Sequence, residues 1–157
     1  MAVKHIPAGY HSVTPYLIVN DAERALDYYK TAFDASEVFR MGAPGGKIGH
    51  AEIQIGTSRV MLADENPASG AKAPTQGVST PVQLMIYVED VDAMFKRALA
   101  AGAKEIQPIK NQFYGDRSGT LTDPFGHVWT IATHIEDVPA DEMLRRAAEY
   151  MKQPQSV

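Results

Sequence analysis

The chain has 157 residues, of which 45% are hydrophobic and 22% charged, with a net charge of −4. That size suits one compact domain or two small modules sharing a core, and the acidic balance gives no electrostatic footprint for nucleic acid or an anionic membrane. The absence of cysteine excludes disulfides, thiolate metal sites and cysteine nucleophiles.

Residues 1–11 hold Pro7 and Gly9 and read as an irregular arm without the apolar stretch of a secretion signal. No apolar run approaches membrane-span length, so a cytoplasmic protein is expected. Residues 12–19 alternate as a strand. Asn20, with Glu23 in capping-box spacing, is expected to open a helix whose stripe is Ala22, Ala25, Leu26, Tyr29 and Phe33. Residues 37–41 read as a strand, Ala43-Pro44-Gly45-Gly46 as a turn, and 50–55 with 59–63 as a hairpin. Residues 64–81 are rich in Pro, Gly, Ser and Ala and read as a mobile linker. A strand over 82–88 follows, then a helix capped by Asp90 with Val91, Phe95 and Ala98 on one face, ending at Gly102. Residues 103–108 form a strand, 111–117 a loop, and 118–122 with 128–132 a hairpin. A last helix is expected over 140–152, with Leu144, Ala147, Ala148 and Met151 on one side, packing on the body or on a partner subunit.

The two halves repeat. Thr14–Asp21 lies over Gln83–Asp90, Thr14 and Gln83 standing 69 residues apart (83 − 14), and Val60-Met61-Leu62 lies over Trp129-Thr130-Ile131 at the same offset. The expected fold class is therefore α+β: two tandem βαβββ modules (12–63 and 82–134) forming a cupped mixed sheet, joined by the linker 64–81 and followed by a C-terminal helix and tail (135–157). Strand parity gives each module one aliphatic face for its helix and one mixed face of aromatic, Met and polar groups. A concave mixed face suits a small molecule, with apolar bulk for affinity and a few polar groups for orientation.

The paired modules, Val19-Asn20-Asp21-Ala22-Glu23-Arg24-Ala25-Leu26-Asp27-Tyr28-Tyr29, Gly49-His50-Ala51-Glu52-Ile53 and Asp123-Pro124-Phe125-Gly126-His127-Val128-Trp129 resemble the vicinal oxygen chelate superfamily. This group includes glyoxalase I, extradiol dioxygenases, fosfomycin-resistance enzymes and bleomycin-resistance binding proteins; the PhnB-like bacterial branch is the most similar. The resemblance covers about residues 10–138. It implies four metal-ligand positions, which fall on Thr14, Met61, Gln83 and Thr130. None is His, Asp or Glu, and a first-row divalent ion needs such donors to offset its dehydration. No metal and no cofactor are expected at this site.

His50 and Glu52 share the mixed face and are the candidates for an acid–base or displaced metal pair, against the plainer reading of a cross-strand polar pair. Arg59, at the same parity, is a candidate partner for Glu52. His127 reads as a turn residue bonding backbone, and His5, His11 and His134 have no ligand partner at recognisable spacing. In the loop before the second hairpin, Phe113 and Tyr114 either wall a ligand or plug the sheet end. Arg117 either grips an anion or makes a structural ion pair, with Asp116 as a companion. The expected lining is Thr14, Tyr16, Met61, Gln83, Met85, Tyr87, Phe113, Tyr114, Arg117 and Thr130. The expected function is a metal-free binder of a small amphiphilic or aromatic molecule, acting as a homodimer. The alternative is an enzyme of lyase, isomerase or dioxygenase type using His50 and Glu52. Related modules pair within one chain or by exchange between chains, and the linker permits both.

Overall fold

A computed structural model describes residues 3–153; the last four residues of the expected C-terminal tail and the first two of the arm lie outside it. The first module runs β1 (Tyr16–Val19), α1 (Ala22–Phe33), β2 (Ser36–Ala43), β3 (Lys47–Ile55) and β4 (Ser58–Asp64). The second runs β5 (Gln83–Tyr87), α2 (Val91–Ala100), β6 (Lys104–Asn111), β7 (Asp116–Thr122) and β8 (Val128–His134), and α3 (Ala140–Lys152) follows. Each module is a four-stranded mixed sheet, in the orders β1-β4-β3-β2 and β5-β8-β7-β6, with the first strand of each parallel to the last. The α+β fold of two βαβββ modules plus a C-terminal helix is thus the observed architecture.

The repeat extends from register to helix caps. Tyr16 pairs with Met61 and Leu17 with Leu62, as Met85 pairs with Thr130 and Ile86 with Ile131. Asp21 accepts from Arg24 N–H at 3.1 Å, as Asp90 accepts from Ala93 N–H at 2.9 Å. A second acceptor comes from the last strand. The Asp64 carboxylate takes Ala22 N–H at 2.9 Å, and the Thr133 hydroxyl takes Val91 N–H at 3.0 Å. Two orphan donors at each helix start are satisfied in this way. The α1 cap is thus Asp21 rather than the expected Asn20. Asp21 places its oxygen on the third amide after it, and Asn20 stays outside the helix.

Two further boundaries differ from expectation. Residues 12–15 leave the sheet, and Pro15, which has no N–H, contributes only its carbonyl, to Met61 N–H at 2.9 Å. The loop expected over 111–117 narrows to 112–115, because β6 reaches Asn111 and β7 starts at Asp116. The linker has fixed contacts: Asn66 and Ala71 bridge, and a Cβ on Gly126 would lie 2.7 Å from Pro74.

Both modules share one core on their helix sides. Leu17, Val19, Leu26, Tyr29, Phe33, Ile53 and Leu62 join Phe95, Leu121, Trp129 and Ile131 in a single buried cluster. The joint is aromatic: Trp129 of β8 lies 5.7 Å from Tyr29 and 5.0 Å from Phe33 of α1. Each such side chain contributes about 1.5–3 kcal/mol by leaving water. Joining the helix sides leaves the opposite, mixed face of each sheet outside the core, which positions everything that follows.

Candidate functional site

Across the first module's mixed face the register makes a row of Tyr16, Met61, Glu52 and Phe39. The corresponding row of the second module is Met85, Thr130, Thr120 and Gln107. Tyr16, Phe39, Met41, Met85 and Tyr87 are each about half exposed, whereas the helix-side residues Leu62 and Ile131 are sealed. The chain therefore presents two open faces, one rich in titratable groups and one nearly free of them at the equivalent positions.

On the first face, His50 sits between two partners. Its Nδ1 is 2.8 Å from the Tyr16 hydroxyl and its Nε2 is 3.1 Å from Glu52 Oε1. The other Glu52 oxygen accepts the hydroxyl of Tyr10, which comes from the N-terminal arm. Donation by Tyr10, then by His50, holds Glu52 below the usual carboxylate range. Burial, then Glu52, pushes the Tyr10 hydroxyl up to about 12, and burial raises Tyr16. The Arg59 guanidinium lies 5.8 Å from the Tyr10 ring, and its Nε and Nη1 are shielded without a partner among the described residues. Arg59 makes no hydrogen bond to Glu52; it acts on that carboxylate only through space. Tyr10 was not foreseen, since an irregular arm carries no periodicity to mark it, and neither Phe39 nor Met41 was included in the expected lining.

The second face has a separate cluster at its end. Asp116, 3% exposed, accepts the Tyr87 hydroxyl at 2.9 Å and His134 Nδ1 at 2.7 Å, and His134 Nε2 meets Asp137 at 2.9 Å. Asp116, then Asp137, raise the His134 pKa above its ordinary value of 6.5. Charged His134 donates to both acids. Its stabilising contribution is complete below about pH 6.5 and is lost as pH rises through the higher folded-state value. Urea unfolding at about pH 6 and about pH 8.5 checks this: the wild type is expected to lose more stability on the alkaline side than His134→Gln does.

Of the two readings of Arg117, the structure shows the ion pair, with Asp92 as its acid. Its Nε and Nη2 bond the two Asp92 oxygens at 2.7 Å each and its Nη1 bonds Asn111 at 3.0 Å. Arg117 shares parity with Gly119 and Leu121, which face α2, so its guanidinium ties β7 to that helix and is not free to grip an anion on the mixed face. Asp116 is likewise paired with His134, not with Arg117. Phe113 packs on Tyr114 and, at 5.1 Å, on Tyr150 of α3, and so lies at the sheet end beneath the C-terminal helix. His127 bonds backbone as expected, but the carbonyl belongs to Ile18 in the other module, at 3.0 Å.

Of the expected lining, Thr14, Met85 and Tyr87 meet in a 420 Å³ cleft between the β3–β4 turn and the edge of β5, together with Arg59, Leu84 and Trp129. Tyr16 and Met61 lie side by side on the first face, and Thr130 lies on the second. The four positions implied to hold a metal do not fit one. Their donors are two hydroxyls, an amide and a thioether, and Thr130 already bonds Thr120 at 2.9 Å. Among the described residues no three His, Asp or Glu side chains converge as a metal-binding group.

Two βαβββ modules with a common helix-side core and outward mixed faces define the class as a tandem βαβββ cup protein. The model of the Glyoxalase/Bleomycin resistance protein/Dioxygenase superfamily matches residues 9–131, and the chain belongs to that superfamily. It is 42% identical over 146 residues to an uncharacterized protein of Mycobacterium bovis, covering 91% of this chain and 93% of that one. An uncharacterized Mycobacterium tuberculosis protein matches at the same identity, over 84% of its length. The crystal structure of TioX from Micromonospora sp. ML1 is similar at a TM-score of 0.62 and 28% identity, over 80% of this chain and 99% of that one. The Listeria monocytogenes fosfomycin resistance protein FosX, a complex with Mn(II) and sulfate, superposes at a TM-score of 0.61. At 17% identity, over 85% of this chain and 97% of FosX, that likeness concerns the fold alone. No helix among the described residues is long and apolar enough to cross a membrane.

Proposed function

We propose that this is a metal-independent binding protein of the PhnB-like branch, cytoplasmic and homodimeric. It takes a small amphiphilic or aromatic molecule between the mixed face of one copy's first module and that of a second copy's second module. The observation that carries the reading is the pair of open faces. Tyr16, Phe39 and Met41 on one, and Met85 and Tyr87 on the other, expose apolar side chains that the chain's own core cannot cover. Large exposed apolar patches of this kind mark interaction or ligand surfaces. The ligand would lie over Met61 and Tyr16 from below and over Thr130 and Met85 from above, with Gln83 and Thr14 at the cup's rim.

Light scattering and the amphiphilic dye 1-anilinonaphthalene-8-sulfonate test this directly. The expected result is a dimer whose dye fluorescence saturates, and an affinity about tenfold weaker in Met61→Glu, which puts a charge of the dye's own sign in the apolar row. A monomer, or dye binding unchanged in Met61→Glu, overturns the reading. A second reading, an enzyme of the same fold, is favoured by one observation: the unbroken hydrogen-bonded file through His50 and Glu52.

A further inference from the structure

Tyr16, His50, Glu52 and Tyr10 form a file whose proton positions follow from chemistry. Glu52 is an ionised carboxylate and can only accept. Its Oε1 faces His50 Nε2, so the imidazole proton is on Nε2. In neutral His50 the remaining nitrogen, Nδ1, is an acceptor, and the group facing it at 2.8 Å is the Tyr16 hydroxyl, which donates. Both His50 nitrogens are thus engaged, and the imidazole itself meets no ligand. The outer end of the file is the Tyr16 oxygen. Its proton points back to His50 and its free lone pairs point out from a half-exposed residue, whereas the His50 and Glu52 side chains lie largely covered behind it.

We propose that Tyr16 is the ligand-contacting end of a proton file, and that the first module's face takes small aromatic or enolic molecules carrying an acidic hydroxyl. This rests on the mixed face being the ligand cavity. The ligand hydroxyl donates to the Tyr16 oxygen. As that O–H bond breaks and a new one forms on Tyr16, the original Tyr16 proton moves to His50 Nδ1. The ligand becomes a phenolate or enolate and His50 an imidazolium that keeps its Nε2 proton on Glu52. One proton enters the file and one comes to rest on His50, with no redox change and no co-reactant. Tyr16 carries no full negative charge at any point, which suits a phenol whose own ionisation burial disfavours. Glu52, fixed by Tyr10 from the other side, orients the imidazole and stabilises its charged form, a positioning role.

Among the described residues, the order tyrosine, imidazole, carboxylate occurs on the first face, whereas on the second Tyr87 meets a carboxylate first. In the second module the register equivalents of Tyr16 and Glu52 are Met85 and Thr120, and the strand equivalent of His50 is Ser118, whose hydroxyl already meets Gln112 at 3.1 Å. At these equivalent positions the second face therefore offers apolar and hydroxyl groups and no imidazole, and its own tyrosine, Tyr87, donates directly to the Asp116 carboxylate. A ligand ending in a carboxylate or a methyl ether meets the Tyr16 lone pairs with no proton to give, and is disfavoured.

Two probes of nearly equal shape separate the possibilities. p-Nitrophenol changes colour on losing its proton, and p-nitroanisole has a methyl group there. The wild type is expected to bind p-nitrophenol about tenfold more tightly than p-nitroanisole, and to show the phenolate band at a pH about one unit below the midpoint of the free compound. In His50→Gln the phenolate band is expected to vanish, and bound p-nitrophenol to remain the neutral phenol. Tyr16→Phe is expected to lose the preference between the two probes. Nitrogen-15 NMR of the histidines in the wild type is expected to find His50 in the Nε2–H tautomer when free and doubly protonated with p-nitrophenol bound. Equal affinity for the two probes, p-nitrophenol bound only as the neutral phenol, or a phenolate band that survives His50→Gln overturns the proton file and leaves the cavity standing. Failure of both probes to bind overturns the cavity as well.

Discussion

Asp123→Ala is expected to lower the unfolding free energy by about 3–5 kcal/mol, the range for stripping one member from a buried polar network. Asp123 is 4% exposed and serves four donors. Its Oδ2 accepts the Tyr29 hydroxyl at 2.7 Å and the Trp129 indole N–H at 2.9 Å. Its Oδ1 accepts the amides of Phe125 at 2.9 Å and His127 at 3.0 Å. Alanine would leave all four donors unpaired, three of them buried. The network also crosses the module boundary, since Tyr29 belongs to α1, and burial, then the Asp123 charge, hold its hydroxyl well above the ordinary tyrosine value. Tyr29→Phe removes one donor together with its bond and should cost only about 1 kcal/mol. Asp123→Ala made in the Tyr29→Phe background should then cost less than in the wild type, because one orphan donor is already gone. Urea denaturation of the two single variants and the double variant reads the coupling. Full additivity would mean that Tyr29 and Asp123 do not interact.

Those contacts give a physical reason for the turn Asp123-Pro124-Phe125-Gly126-His127. The sequence motif marks the fold because its acid is both the turn's acceptor and the bolt between modules. Much of the architecture was legible for related reasons. A strand, an acidic cap and an amphipathic helix recur at one spacing because each sheet needs the same helix docked in the same place, and the register pairs Tyr16–Met61 and Met85–Thr130 keep that spacing. Parity also placed Met85 and Tyr87 on the open side, where they stand about half exposed.

What was not legible depends on distance in the chain or on a choice between equal chemistries. Tyr10 reaches Glu52 across 42 positions from an arm with no pattern. Asn20 and Asp21 are equally good caps on propensity, and only the backbone path decides between them. Arg117 was readable in part, since its alternation with Gly119 and Leu121 places it on the helix side, but its partner Asp92 lies 25 residues earlier on α2. The openness of both mixed faces follows from joining the modules through Trp129, Tyr29 and Phe33, a tertiary choice that neither module encodes alone.

Gly115→Ala is expected to destabilise the second module by about 2–5 kcal/mol, combining left-handed backbone strain of about 1–2 kcal/mol with overpacking of about 1–3 kcal/mol. Gly115 has φ +97°, and a Cβ there would stand 2.1 Å from the Glu136 carbonyl oxygen and 3.1 Å from Val138 Cγ2. The obstacle is backbone and cannot swing aside. It is held because the Gly115 carbonyl accepts both Ile135 N–H at 2.9 Å and Glu136 N–H at 3.0 Å. Relief of the clash must therefore break those bonds and lift the segment that leads into α3. The next residue is Asp116, whose carboxylate fixes Tyr87 on the open face and His134 at the end of β8. Lifting the segment should release Asp137 from His134 and loosen Tyr87, so the stability loss should come with faster hydrogen exchange over residues 135–139 and weaker dye binding. The first module's file lies on another sheet and should keep its His50 tautomer. If Gly115→Ala lost that tautomer as well, the two faces would be coupled through the shared core, and the half-sites would not be independent.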